Sequence, residues 1–205
     1  CINAIWPSRP NAGTLVSVSD CLPKMVIYSD NICGKFYLDY GRSAGIYSYL
    51  SSQGYGGTSL APGGLSTSPS DVAKLLTLVA QSKFVTASDS NEISGLLARQ
   101  AHRNKIPAGV PSLSAANKTG EIHSASSPYS HDAAIIKEGN NLYILVVMTH
   151  LNPDSADDDT KIAALAAKIF GLAAPGTGTG GNGCISLPSS ASSGLISISR
   201  ISGNS

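Results

Sequence analysis

A lysine, a hydroxyl and a glycine stand in a row at Lys118-Thr119-Gly120, followed by Glu121. Two runs that read as strands come next, 132–137 and 142–149, joined by the turn Glu138-Gly139-Asn140-Asn141. A cation beside a hydroxyl on a strand edge suits a ligand that carries a carboxylate. The glycine lets that ligand lie close against the backbone. Taken alone the tripeptide says little, because an exposed strand end often has this composition. A second polar cluster, Ser29-Asp30-Asn31, interrupts a strongly helical region near the start of the chain.

The elements that must position these residues are legible in outline. Residues 17–28 read as an apolar helix with Met25, Val26 and Ile27, capped by Ser17 or Ser19. Beyond the break, 32–40 form a second helical piece ending at Gly41, and 43–53 a short helix stopped by Gly54. Residues 54–68 form a Gly/Ser/Thr/Pro loop without Asp or Glu. Ser68-Pro69-Ser70-Asp71 then starts an amphipathic helix: a capping hydroxyl, a proline at the first helical position and an acid at the third. A further helix runs over about 90–103 with Asp89 as its cap, and Ile106-Pro107-Ala108-Gly109-Val110-Pro111 is a rigid connector into the Lys118 strand. Residues 142–149 are nearly all apolar, which predicts an interior strand covered on both faces. A last helix spans 156–172, with Ile162, Leu165, Ala166 and Ile169 on one face. Helices, three antiparallel strands and a terminal helix make an α+β domain over 1–175. Residues 176–205 read as a Gly/Ser-rich linker or tail.

Bulk numbers exclude several classes. At 205 residues the chain can bury one real core. Its net charge of +1 gives no electrostatic footprint for nucleic acid or an anionic membrane. No run reaches the ~18 apolar residues of a membrane span. A charged content of 13%, with abundant Ser, Gly, Thr and Ala, suits an exported protein and predicts an extracytoplasmic location. The chain starts at Cys1, so it is processed, truncated or a fragment. Cys1, Cys21, Cys33 and Cys184 match no zinc spacing, and no metal or organic cofactor is implied. Cys21 and Cys33 flank a helical stretch that, if straight, holds them beyond the ~7 Å reach of a disulfide; free buried thiols are expected.

Four blocks, in order, carry a resemblance: Ile27-Tyr28-Ser29-Asp30-Asn31, Ile106-Pro107-Ala108-Gly109-Val110-Pro111, Asn117-Lys118-Thr119-Gly120-Glu121 and His131-Asp132-Ala133-Ala134-Ile135-Ile136. Over roughly residues 15–172 the chain resembles the class A β-lactamase and penicillin-binding serine hydrolases. The resemblance implies a β-lactamase/DD-peptidase-like fold, a helical subdomain beside an antiparallel sheet with flanking helices and the active site between them. It implies attack by a serine on a β-lactam or a D-Ala-D-Ala-type cell-wall amide, giving an acyl-enzyme. Ser29 would relay a proton to the leaving nitrogen, and Asn31 would hold the lysine of the nucleophile motif and the substrate amide. Asp30 would be structural. Lys118 would hold Ser29 electrostatically and attract the substrate carboxylate, Thr119 would bond it, and Gly120 would leave room. The Glu121 backbone N–H would be an oxyanion donor, its side chain only a solvated charge. Arg103 or Lys105 would supply a second cation for the carboxylate, since Ser130, near where the family often has an arginine, cannot. His123 and His131 are expected to take no part.

Two departures matter. No Ser-x-x-Lys occurs in these residues, so the nucleophile helix and the first strands are expected upstream of residue 1 or on another chain, or the protein is a pseudoenzyme. Such a sheet would have three strands and an exposed edge. The 54–68 loop also lacks the carboxylate with which a class A β-lactamase activates water, so deacylation should be slow. Two functions follow: a β-lactamase-related hydrolase that forms acyl-enzymes and deacylates poorly, or a non-catalytic module that grips peptidoglycan peptide ends.

Overall fold

A computed structural model of the protein describes residues 15–61, 64–122, 129–150, 158–172 and 194–201. The chain divides into two compact units, Cys1–His102 and Arg103–Ser205.

The first unit is mostly helical. α1 (Val18–Tyr28) is capped by Ser17, whose hydroxyl accepts from the Asp20 N–H. With Ser17 as the cap, Pro23 is the sixth helical residue and lies inside the helix, where it lacks the N–H that would otherwise donate to Ser19 O. The helix ends at Ser29, which adopts the left-handed conformation (φ 55°, ψ 38°) and sends its N–H back to Lys24 O. α2 (Asn31–Ser43) starts at once, capped by Asp30, and runs through Gly41 instead of stopping there. Gly41 is buried, and a Cβ on it would come within 3.2 Å of Ile46. α3 (Ile46–Ser52) follows. The expected 54–68 loop contains a two-strand hairpin, β1 (Ser59–Ala61) with β2 (Gly64–Ser66). α4 (Pro69–Ala80) begins as predicted, with the Ser68 hydroxyl accepting from Asp71 N–H. α5 (Ala87–Ala98) starts three residues before the expected point. Thr86 is its cap, and Asp89 is the third residue of a reciprocal capping box. Gln100 Nε2 donates to Val26 O (2.7 Å) and Ala101 N–H to Ile27 O (2.9 Å), which fastens the chain after α5 to α1.

The second unit is a sheet with helices. α6 (Ile106–Gly109) is a single turn where a rigid connector was expected. β3 (Ser114–Ile122), β4 (Tyr129–Glu138) and β5 (Asn141–His150) are antiparallel, with Lys118 opposite Ala133 and Gly120 opposite His131. Gly139, at φ +57°, makes the β4–β5 turn. β5 is interior, and Ile144, Leu145, Val146 and Val147 are all buried. α7 (Asp158–Ile169) covers one face. Ile162 and Ala166 join Ile106, Val110, Ala115, Ala134, Ile136, Leu145 and Val147 in one core. β6 (Gly194–Ile201) pairs with β5, so the described sheet has four strands, in the order β3-β4-β5-β6. Part of the expected tail is thus a strand; 173–193 lie outside the described residues.

The free-thiol expectation fails. Cys21 and Cys33 form a disulfide with Cα atoms 5.2 Å apart. The helix is not straight: the left-handed residue Ser29 separates α1 from α2 and brings the two cysteines together. Cys1, Cys184 and His123 lie outside the described residues. Among the described residues, no helix is long and apolar enough to cross a membrane.

Candidate active site

Ser29, Asp30 and Asn31 form one tight turn in the first unit. A left-handed serine costs on the order of 1 kcal/mol, so neighbouring contacts must hold it. Lys24 O accepts from the N–H groups of both Ser29 and Asp30. Asp30 is buried, and its Oδ1 accepts the Cys33 N–H at 2.8 Å. Cys33 is in turn bonded to Cys21. The structural role expected of Asp30 is therefore an N-cap on a disulfide-anchored helix. Asn31 is the first residue of α2. In the same unit Asp71 reaches back into the 54–68 segment. Its Oδ2 accepts from Gly57 N–H (2.9 Å) and the Thr58 hydroxyl (2.8 Å).

In the second unit, Lys118, Thr119, Gly120 and Glu121 lie on the outer strand β3. Alternation places Asn117, Thr119 and Glu121 on the face carrying the α6–α7 core, and Lys118 and Gly120 on the other. Lys118 Nζ donates to Thr119 O at 2.6 Å. Burial lowers its pKa to about 8; Asp132 and Glu121 resist that shift by attraction, and Lys105 adds to it by repulsion. The ammonium is thus charged at neutral pH and partly desolvated, which suits it to bind an anion. Gly120 has no positive φ, and a Cβ there would meet only His131 Cβ and Cδ2, both at 3.7 Å, an ordinary contact. The fold does not demand glycine at this position. By contrast Gly109 is forced: a Cβ there would lie 2.0 Å from Ala163 O of α7.

Beneath β3 is a buried polar cluster that sequence reading did not assemble. Asp132 is 1% exposed; its Oδ1 accepts from Asn117 Nδ2 (3.0 Å) and its Oδ2 from Ile106 N–H (2.9 Å). One carboxylate thereby joins β3, β4 and α6. Burial raises its pKa to about 6, against the pull of those donors and of Lys105. The signal was a single acid at the head of an apolar strand, a position that requires partners.

The structure gives Arg103 and Lys105 other partners than a ligand. Arg103 Nη2 donates to Ala115 O at 3.0 Å. The Lys105 side chain is fully buried, with Nζ 2.7 Å from Glu121 Oε1, 3.3 Å from His131 O and 3.5 Å from Asp159 Oδ1. Glu121 is therefore not the solvated charge expected; its carboxylate pairs with a buried ammonium. Ser130 donates its hydroxyl to Asp159 Oδ1 (3.1 Å). His131 Nδ1 accepts Thr149 N–H (3.1 Å), which places the proton of the neutral ring on Nε2. Burial lowers the pKa of His131. Among the described residues, no group of three or more His, Cys, Asp or Glu is arranged to hold a metal ion.

Fold and residues together define a member of a known hydrolase class. The model of the β-lactamase enzyme family matches residues 5–172, and the chain belongs to that family. Among solved structures, a PBP-A mutant in acyl-enzyme complex with penicillin G is 18% identical, with a TM-score of 0.71; the match covers 82% of this chain and 68% of that one. A β-lactamase from Streptosporangium roseum is 21% identical with a TM-score of 0.65, covering 78% and 66%. A β-lactamase from Chitinophaga pinensis is 15% identical with a TM-score of 0.67, covering 82% and 72%. The chain thus spans about two thirds of the length of these relatives. A comparison with curated proteins found no match.

Proposed function

We propose that this chain carries the carboxylate-binding strand of a penicillin-recognising serine hydrolase, one that forms an acyl-enzyme with β-lactams or D-Ala-D-Ala-type amides. The observation that carries the reading is the outer strand β3. It holds a partly desolvated Lys118 ammonium next to Thr119, then a glycine that packing does not require. Lys118 attracts the ligand carboxylate, Thr119 bonds it, Gly120 lets it approach, and the Glu121 N–H donates to the developing oxyanion. Ser29 relays the proton to the leaving nitrogen, and Asn31 holds the substrate amide. The PBP-A relative in its penicillin acyl-enzyme supports this class of substrate.

Deacylation is slow on this reading. The 54–68 segment has no acid of its own, and Asp71, which reaches into it, is engaged by Gly57 and Thr58. The Cys21–Cys33 disulfide supports a location outside the cytoplasm, where such bonds persist. A non-catalytic binder of peptidoglycan peptide ends is the second reading, favoured by the lack of Ser-x-x-Lys in these 205 residues.

Incubating the full-length gene product with a fluorescent penicillin separates the readings. A persistent covalent adduct supports the poor deacylator, and rapid turnover an efficient β-lactamase. No adduct at any concentration rejects the acyl-enzyme and leaves the binder.

A further inference from the structure

Lys105 poses a physical problem. A fully buried ammonium must keep an anionic partner, because removing one partner of a buried ion pair leaves an uncompensated charge in a low-dielectric interior and is strongly destabilising. Two carboxylates serve it. Asp159 is fixed by the Ser130 hydroxyl and the Asn104 side-chain amide, and its Oδ1 stands 3.5 Å from Nζ. Glu121 is closer, at 2.7 Å, and its side chain is 29% exposed. Glu121 is also two residues from Thr119 on the same face of an outer strand. A carboxylate therefore already pairs with Lys105 on the face of β3 that carries Thr119.

We infer that the Glu121 side chain is a built-in competitor: a ligand carboxylate reaches Lys105 only by taking the place of Glu121. This rests on the proposed carboxylate-binding role of β3. The exchange is of one carboxylate for another, so Lys105 is never left without an anion and the charge of the cluster is conserved. It accounts for how a fully buried lysine could still serve a ligand. It also accounts for an acid directly after Gly120, where its charge would otherwise repel an anionic ligand. No bond to Lys118 is needed for the effect, although Glu121 also attracts the Lys118 ammonium. A neutral ligand gains nothing by the exchange, so Glu121 selects between acids and neutral analogues.

The test is equilibrium binding of N-acetyl-D-alanyl-D-alanine and its C-terminal amide to the full-length protein and to Glu121→Gln, followed by NMR titration. Competition predicts that Glu121→Gln tightens binding of the acid relative to the amide by about fivefold or more, a typical coupling between sites. Glu121→Asp, whose shorter side chain loses its reach, should shift the same ratio in the same direction and serves if Glu121→Gln fails to fold. An unchanged ratio, equal weakening of both ligands, or no binding of the acid to either protein overturns the inference. Binding is read without acylation. Failure of penicillin labelling with a shifted ratio would reject the acyl-enzyme and keep the competitor; labelling with an unshifted ratio would do the reverse.

Discussion

The Ser29 turn and the Lys118 strand are held by opposite means. At Ser29 short-range restraints set the turn. Lys24 O gathers two N–H groups, Asp30 caps Cys33, and the disulfide closes a sequence separation of 12. At Lys118 the restraints come from far along the chain. β3 is fixed by its register with β4, by Asn117 to Asp132, by Asp132 to Ile106 and by Lys105 to Glu121. A local turn can be set by a cap and a covalent staple. A strand that must hold a desolvated lysine at an edge needs a buried polar cluster, because sheet pairing fixes its height but not the field around it.

The two glycines beside that cluster sharpen the contrast. Gly109→Val should cost at least about 3 kcal/mol, since the intruding atoms meet the Ala163 carbonyl of α7, which cannot give way. Urea unfolding would measure it. Gly120→Ala should change stability by less than about 1 kcal/mol yet weaken penicillin binding roughly tenfold, because its space is left for a ligand. A stability loss as large as that of Gly109→Val would mean that Gly120 is only a packing residue.

Breaking the staple comes next. Cys33→Ser should cost about 2–3 kcal/mol, the scale for a loop of this size. Hydrogen exchange at 30–34 should rise more than at 114–122. Equal acceleration in both segments would contradict local control of the Ser29 turn.

Titration acts within the second unit, where Asp132 and Lys118 run in opposite senses. Asp132 has its pKa raised to about 6 from 3.8, so the folded protein binds more protons than the unfolded chain between those values. Its contribution is greatest below pH ~4 and falls as pH rises to about 6, by on the order of 3 kcal/mol. In Asp132→Asn that slope should vanish. Lys118, lowered to about 8 from 10.5, binds fewer protons folded than unfolded, so its contribution grows as pH rises from about 8 to 10.5. Over the same rise it loses its charge, and carboxylate binding should decline above about pH 8.

Much of this was legible in the sequence where the determinants are local. Ser68-Pro69-Ser70-Asp71 fixed the start of α4, and the apolar run 142–149 marked an interior strand. The break at Ser29-Asp30-Asn31 was visible too, yet its consequence was not. Only the left-handed geometry of Ser29 shows that the flanking cysteines can meet. The cap of α5 was misplaced because Thr86 and Asp89 are both good caps, and the reciprocal pair uses Thr86 as cap and Asp89 as third residue. The pairing of Lys105 with Glu121, 16 residues apart, depends on α6 packing against the sheet and has no local signal. Strand β6 was unread for a similar reason: Gly194–Ile201 becomes a strand by pairing with β5, far earlier in the chain.

The central claim is that Lys118 on β3 binds a ligand carboxylate. Dissociation constants for benzylpenicillin and its methyl ester, measured before acylation on the full-length protein and on Lys118→Met, test it directly. The account predicts that Lys118→Met weakens the acid about tenfold or more and leaves the ester nearly unchanged, as loss of one charge-assisted contact should. Equal affinity of both proteins for the acid would contradict it.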